Sequence, residues 1–168
     1  ALAAWAEAGL GVRFREVAET QEGIVIRFVR TGDEGPLPAG AGDTLADCRV
    51  RADTAPGATV DARLRFASVL LRRDQPDWLG RPLPLDPDER LGAALHELGH
   101  ALGFSSHVAA GDSVLRSSPE IARRMGAAVR RGEWTGDPNV AALYAVPSGV
   151  VVGRIALAAE RASVFARL

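Results

Sequence analysis

The segment HELGHALGFSSH, residues 96–107, holds all three histidines of the 168-residue chain. Residues four apart on an α-helix share a face, so His96 and His100 project side by side. That spacing lets two imidazoles bind one metal ion, with Zn–N bonds of about 2.0–2.1 Å. Glu97 is turned about 100° around the helix from His96, out of line for a third ligand on that face but placed to reach a water on the same ion. H-E-x-x-H on a helix thus combines two ligands with a general base. A catalytic zinc takes three protein ligands and keeps one position open. Gly103 allows the chain to turn back, and His107 follows four residues later to supply the third ligand. Zinc lowers the pKa of the water that it binds from about 15.7 to about 7. Glu97 would accept that proton and pass it to the leaving amine of a hydrolysed peptide bond.

A helix must carry this segment, and LDPDERLGAALHELGHALG has the marks of one. Asp86 is the expected N-cap, Pro87 takes the first helical position, and Glu89 stands three residues after Asp86, as in a capping box. Leu91, Leu95, Leu98 and Leu102 form a buried stripe, and Gly103 ends the helix in the left-handed conformation. Upstream, ALAAWAEAG predicts a first helix with Leu2 and Trp5 on one face. GVRFREVAE, GIVIRFVR and DCRVRAD are predicted strands. GIVIRFVR puts Ile24, Ile26 and Phe28 on one face. ATVDARLRFASVLL alternates, with Val60, Ala62, Leu64 and Phe66 inward, and is predicted to lie near or at a sheet edge. Thr31 to Thr44 is loop by composition. Downstream, Ser118-Pro119-Glu120 and Asp137-Pro138 each start a helix, the second ending by Pro147, and GVVVGR is a short strand. Helix, strands, then helices argue for an α+β fold.

HELGHALGFSSH resembles the zinc-binding signature of the metzincin metalloproteases, and the surrounding chain is most similar to bacterial matrixin-like members. The resemblance covers about Ala1 to Pro147. It implies a metzincin-like zincin fold: a twisted, mostly parallel sheet, an active-site helix and C-terminal helices. It implies a catalytic domain over residues 1–147, with 148–168 a C-terminal extension open to continuation into a further segment. It also implies a zinc endopeptidase, secreted or in the cell envelope, with His96, His100 and His107 on zinc, Glu97 as base and a peptide or protein substrate. TVDARLRFA becomes the edge strand that pairs with an extended substrate. The family signature is H-E-x-x-H-x-x-G-x-x-H. Here its last position is Ser106 and the histidine comes one residue later, as in related bacterial matrixin-like sequences. A hydroxyl binds zinc far less well than imidazole, so the role goes to His107. The family's turn methionine, an apolar floor beneath the metal, is matched by Leu115 in GDSVLRSS. Arg116 stands where some branches carry a substrate-binding Tyr, and no such role transfers. Two alternatives stay open: a zinc-binding module without catalysis, and a carboxylate third ligand, Glu120.

Other features bound the function. The net charge of −1 gives no electrostatic reason for a nucleic-acid or anionic-membrane partner. No run of about 18 apolar residues suits a membrane span. Cys48, the single cysteine, excludes an internal disulfide; it lacks the motif of the matrixin pro-segment cysteine and is expected to be a small buried hydrophobe. Asp33, Glu34 and Asp43 match no calcium-loop spacing and are expected to be solvated turn residues. Met125, the only methionine, is expected to pack on an amphipathic helix, and Trp78 and Trp134 to cap the core. Nothing here sets an oligomeric state.

Overall fold

A computed structural model describes residues 1–17, 23–30, 46–54, 62–104, 106–145, 153–157 and 163–167, without the side chains of 46–54, 62–66, 153–157 and 163–167. The elements are α1 (Leu2–Glu7), β1 (Gly23–Val29), β2 (Ala46–Thr54), β3 (Ala62–Arg72), β4 (Asp74–Pro76), β5 (Pro82–Pro84), α2 (Pro87–Ala101), α3 (Pro119–Arg130), α4 (Pro138–Tyr144), β6 (Gly153–Leu157) and β7 (Ser163–Arg167). The fold is mixed α+β.

The main sheet has the order β2-β3-β1-β7-β6. Among the described strands only β1 and β3 run parallel, from Gly23 opposite Phe66 to Val29 opposite Arg72. The pairs β2–β3, β1–β7 and β6–β7 are antiparallel. The expected mostly parallel sheet is therefore corrected. Alternation along a strand reports which face is buried and carries no information on the direction of its neighbour. TVDARLRFA, described from Ala62 on, is not an edge: β3 lies between β2 and β1, and among the described strands the edges are β2 and β6. Of the predicted inward face of that segment, residues 60–66 lie outside what is described at side-chain level, as do Cys48 and the acidic loop with Asp33, Glu34 and Asp43.

GVRFREVAE forms no strand over its described residues; Glu16 makes only an isolated bridge. Gly9, with φ of +72°, and Gly11, its first residue, with φ of +70°, bend the chain there. Its alternation serves instead to seat Val12 in the core and Phe14 against it. In β1, Ile24, Val25 and Ile26 are all buried, whereas Phe28, which shares a face with Ile24 and Ile26, is 38% exposed. The centre of the strand is thus covered on both faces and its C-terminal end on neither fully.

Helix α2 supplies most of the core opposite the sheet: Ala94, Leu95, Leu98, Ala101 and Leu102 are buried, and Leu91 half-buried. The Asp86 side chain accepts from the Asp88 and Glu89 amides at 2.9 and 3.2 Å. The capping box is not completed. The buried Glu89 carboxylate instead takes the Arg123 guanidinium of α3 at 3.0 Å. Trp5 is fully buried and donates its indole N–H to the Leu95 carbonyl at 3.1 Å. Trp134 meets it edge-on, ring centroids 4.9 Å apart. Met125 packs in the core as expected, but Trp78 caps nothing and is 87% exposed.

Candidate metal centre

The histidine segment begins on α2 and leaves it by a turn that glycine makes possible. The Gly103 amide donates to the His100 carbonyl at 2.9 Å and the Phe104 amide to the Gly99 carbonyl at 3.2 Å, the paired bonds of a Schellman ending. Gly103 has φ of +111°, which side-chain-bearing residues rarely adopt. The chain reverses there, and His107 returns to the face that bears His96 and His100. Ser106 is exposed and outside the cluster; Ser105 is not described.

The three Nε2 atoms form a triangle with edges of 3.1 Å (His96–His100), 3.2 Å (His96–His107) and 3.4 Å (His100–His107). Bonds of about 2.0–2.1 Å at a tetrahedral angle place ligand atoms about 3.3 Å apart. The triangle therefore fits one face of a tetrahedral ion. His96, His100 and His107 lie close enough to hold a metal, and no carboxylate joins them among the described residues. Glu120 is exposed on the first turn of α3 and stands outside the cluster.

Two backbone carbonyls decide which nitrogen of each helical imidazole carries the proton. The Val114 carbonyl lies 2.7 Å from His96 Nδ1, and the Phe104 carbonyl 2.6 Å from His100 Nδ1. A carbonyl only accepts, so each Nδ1 must donate, and in the neutral rings each Nε2 keeps a bare lone pair. Burial drives His96 to the neutral form, pushing its pKa down to about 4, with the neighbouring imidazoles adding to the effect. Burial also lowers His100. Two lone pairs 3.1 Å apart repel unless a cation lies between them. The donor set thus fits a divalent ion, and the Nδ1–carbonyl bonds are the outer contacts that orient metal-binding imidazoles.

The floor of the site is the turn from Ser113 to Arg116, closed by the Arg116 amide on the Ser113 carbonyl at 3.1 Å. Leu115 is fully buried. Its Cδ2 sits 2.6 Å from where a Cβ on Gly99 would stand, so it lies directly against the helix one residue before His100. The Leu115 carbonyl accepts from the Val108 amide at 3.2 Å, tying the floor to the chain just beyond His107. Arg116 is exposed.

Asp137 was expected only as a helix cap, and it does more. Its Oδ1 caps α4 through the Asn139 amide at 2.9 Å. Its Oδ2 accepts from the Ser113 hydroxyl at 2.7 Å and the Val114 amide at 2.8 Å. With 2% exposure, this carboxylate holds the amide of Val114, the residue whose carbonyl, in the next peptide unit, orients His96. No spacing rule points to it, because the contact spans more than twenty residues and depends on how α4 packs. Tyr144 makes a parallel link: its hydroxyl donates to the Leu102 carbonyl at 2.8 Å, fastening α4 to the end of α2, and burial raises its pKa to about 12.

Glu97 is buried, 7% exposed, one step around α2 from His96. Comparison with protein-family models, curated proteins and solved structures returns no match, so the chemistry of the site rests on its own geometry.

Proposed function

We propose that the chain is a zinc-dependent endopeptidase of the metzincin type, similar to the bacterial matrixin-like members, in which His96, His100 and His107 bind the ion and Glu97 acts as general base. The observation that carries this is the Nε2 triangle, with two of its lone pairs fixed inward by backbone carbonyls. Imidazole nitrogens in a tetrahedral set suit zinc among the common divalent ions. A zinc ion bound there supplies Lewis-acid polarisation of a peptide carbonyl and a water acidified to a pKa of about 7.

The remaining work falls to the chain. Val114 and Phe104 hold the imidazoles in register through their carbonyls. Leu115 provides an apolar floor where the family places methionine, and an aliphatic side chain of similar volume meets that need. Glu97 takes the proton of the attacking water and delivers it to the leaving amine. Its position one residue after His96 aims it beside the ligand face and not along it.

Glu97→Gln tests the assignment while preserving shape. Zinc content, measured on the dialysed protein, stays at that of the parent. Hydrolysis of casein or a quenched fluorescent peptide falls by roughly 10²–10⁴-fold. Parent-like hydrolysis in the zinc-loaded variant would remove Glu97 from the mechanism. Absence of chelator-sensitive hydrolysis in the parent would leave a zinc-binding module without catalysis.

A further inference from the structure

A groove of about 460 Å³ lies between the start of α1, the strands β1 and β3, and α2. Leu2 of α1, Ile26 and Phe28 of β1 and Leu71 of β3 form its walls. Along α2 it follows Pro87, Leu91, Ala94 and Leu98, positions three or four apart that make one stripe. The helix rises about 16 Å from Pro87 to Leu98, so the groove is elongated along the helix axis. Alanines at 1, 3 and 94 leave the space that larger side chains would fill. Leu91, on the stripe expected to be buried, is only half-buried because it lines this groove. Ala94 and Leu98 stand about 200° around α2 from His96 and His100, so the groove is on the far side of the helix from the metal cluster.

Among the described residues that line it, Arg90 has the one charged side chain. Arg90 is exposed and makes no ion pair with any of the described residues. The acids at the start of the helix are engaged on its other side. Asp88 pairs with Arg130 at 2.9 Å and the buried Glu89 with Arg123 at 3.0 Å, both arginines belonging to α3. Asp86 accepts from the Asp88 and Glu89 amides. Its carboxyl is held below the usual carboxylate range chiefly by the Glu89 amide, with Arg123 and Arg130 adding to the effect. None of these three acids lines the groove. The result is an elongated apolar channel with an unneutralised guanidinium one turn from its Pro87 end.

We propose that this groove binds an alkyl carboxylate of the fatty-acid type, its chain lying along Leu91, Ala94 and Leu98 and its carboxylate on the Arg90 guanidinium. Small-molecule pockets enclose about 300–1,000 Å³ and combine apolar walls with a few placed polar groups, and the groove matches both features. A guanidinium offers a carboxylate two parallel N–H donors. The elongated shape suits an unbranched chain, and each methylene buried strengthens binding about fourfold. A sugar or nucleotide would bring hydroxyls that apolar walls leave unsatisfied. A cationic amphiphile would set like charge against Arg90. The inference is independent of hydrolysis, since the groove and the histidines occupy opposite sides of α2.

Isothermal titration of the full chain with decanoate, below its micelle concentration, saturates at one equivalent. Octanoate, shorter by two methylenes, binds roughly tenfold more weakly. Decanol and decyltrimethylammonium, which lack the anionic head, are also weaker by about tenfold. Arg90→Gln, at an exposed position, keeps the parental melting curve, loses about tenfold in decanoate affinity and leaves decanol binding unchanged. Ala94→Leu fills the channel and abolishes binding of both; Ala3→Phe, at the exposed rim, does the same should Ala94→Leu fail to fold. The proposal is overturned if decanoate shows no saturable binding, if Arg90→Gln binds it as well as the parent, or if decyltrimethylammonium binds equally, which would mean adsorption without charge selection. Decanoate binding that EDTA abolishes would also overturn it, by placing the carboxylate on a metal at the histidines.

Discussion

A single buried carboxylate joins two tasks at the metal centre. Asp137 caps α4 and also holds the Ser113 hydroxyl and Val114 amide beneath His96. Asp137→Ala leaves both groups without their acceptor and removes the cap. Loss of a cap costs about 1 kcal/mol, and an unsatisfied buried donor costs about 1–3 kcal/mol more. Zinc affinity falls as well, by roughly 10–100-fold, the usual consequence of removing an outer contact that orients a ligand. Chelator competition measures that loss and a urea titration the stability. A variant that is merely less stable, with unchanged zinc affinity once folded, would show that Val114 is held by other means. The three histidines were legible from spacing because helical periodicity and one glycine bend set where they go. Asp137 was not, because its partners are brought to it by tertiary packing alone.

The α2–α3 crossing is set by two glycines that spacing alone leaves unexplained. A Cβ on Gly92 would lie 1.7 Å from the Ala122 carbonyl oxygen, and one on Gly126 would lie 1.9 Å from the Asp88 carbonyl oxygen. Both obstacles are backbone, so no rotamer change relieves them. Helix propensity favours alanine over glycine by about 1 kcal/mol, and the clash opposes it. Relief requires the helices to separate, which also strains the Glu89–Arg123 contact and the Arg130–Asp88 pair, 2.9 Å apart. Gly92→Ala and Gly126→Ala therefore destabilise, each by about 1–3 kcal/mol net, read as a lower urea midpoint at unchanged slope; a raised midpoint would mean that the helices part freely. The same contrast explains what was readable at this scale. Helix starts at Asp86, Ser118 and Asp137 are local chemistry, and all three cap as expected. Strand direction and the edge position depend on which strand lies beside which, and those assignments needed correction.

For the molecule as a whole, a metal ion held by His96, His100 and His107 would cross-link the end of α2 to the chain that returns after Gly103. His96 and His100 belong to α2, His107 to the returning chain, and the floor turn reaches α4 through Asp137. Without an ion, the inward lone pairs of His96 and His100 oppose one another, so part of the folding free energy is withheld until metal binds. An ion bound only by the folded state adds about 4.1 kcal/mol at a thousand-fold excess over Kd. For a chain of this length, 1 kcal/mol moves Tm by roughly 2–4 °C, which gives a rise of about 8–16 °C with zinc. EDTA reverses it, as a melting curve followed by circular dichroism would register. His107→Ala removes one vertex of the triangle and leaves the helix pair intact. Its apo Tm stays near that of the parent because His107 is exposed, while most of the zinc-induced rise disappears. An equal zinc-induced rise in the parent and in His107→Ala would mean that the ion binds elsewhere, and the three-imidazole site would lose its claim to the metal.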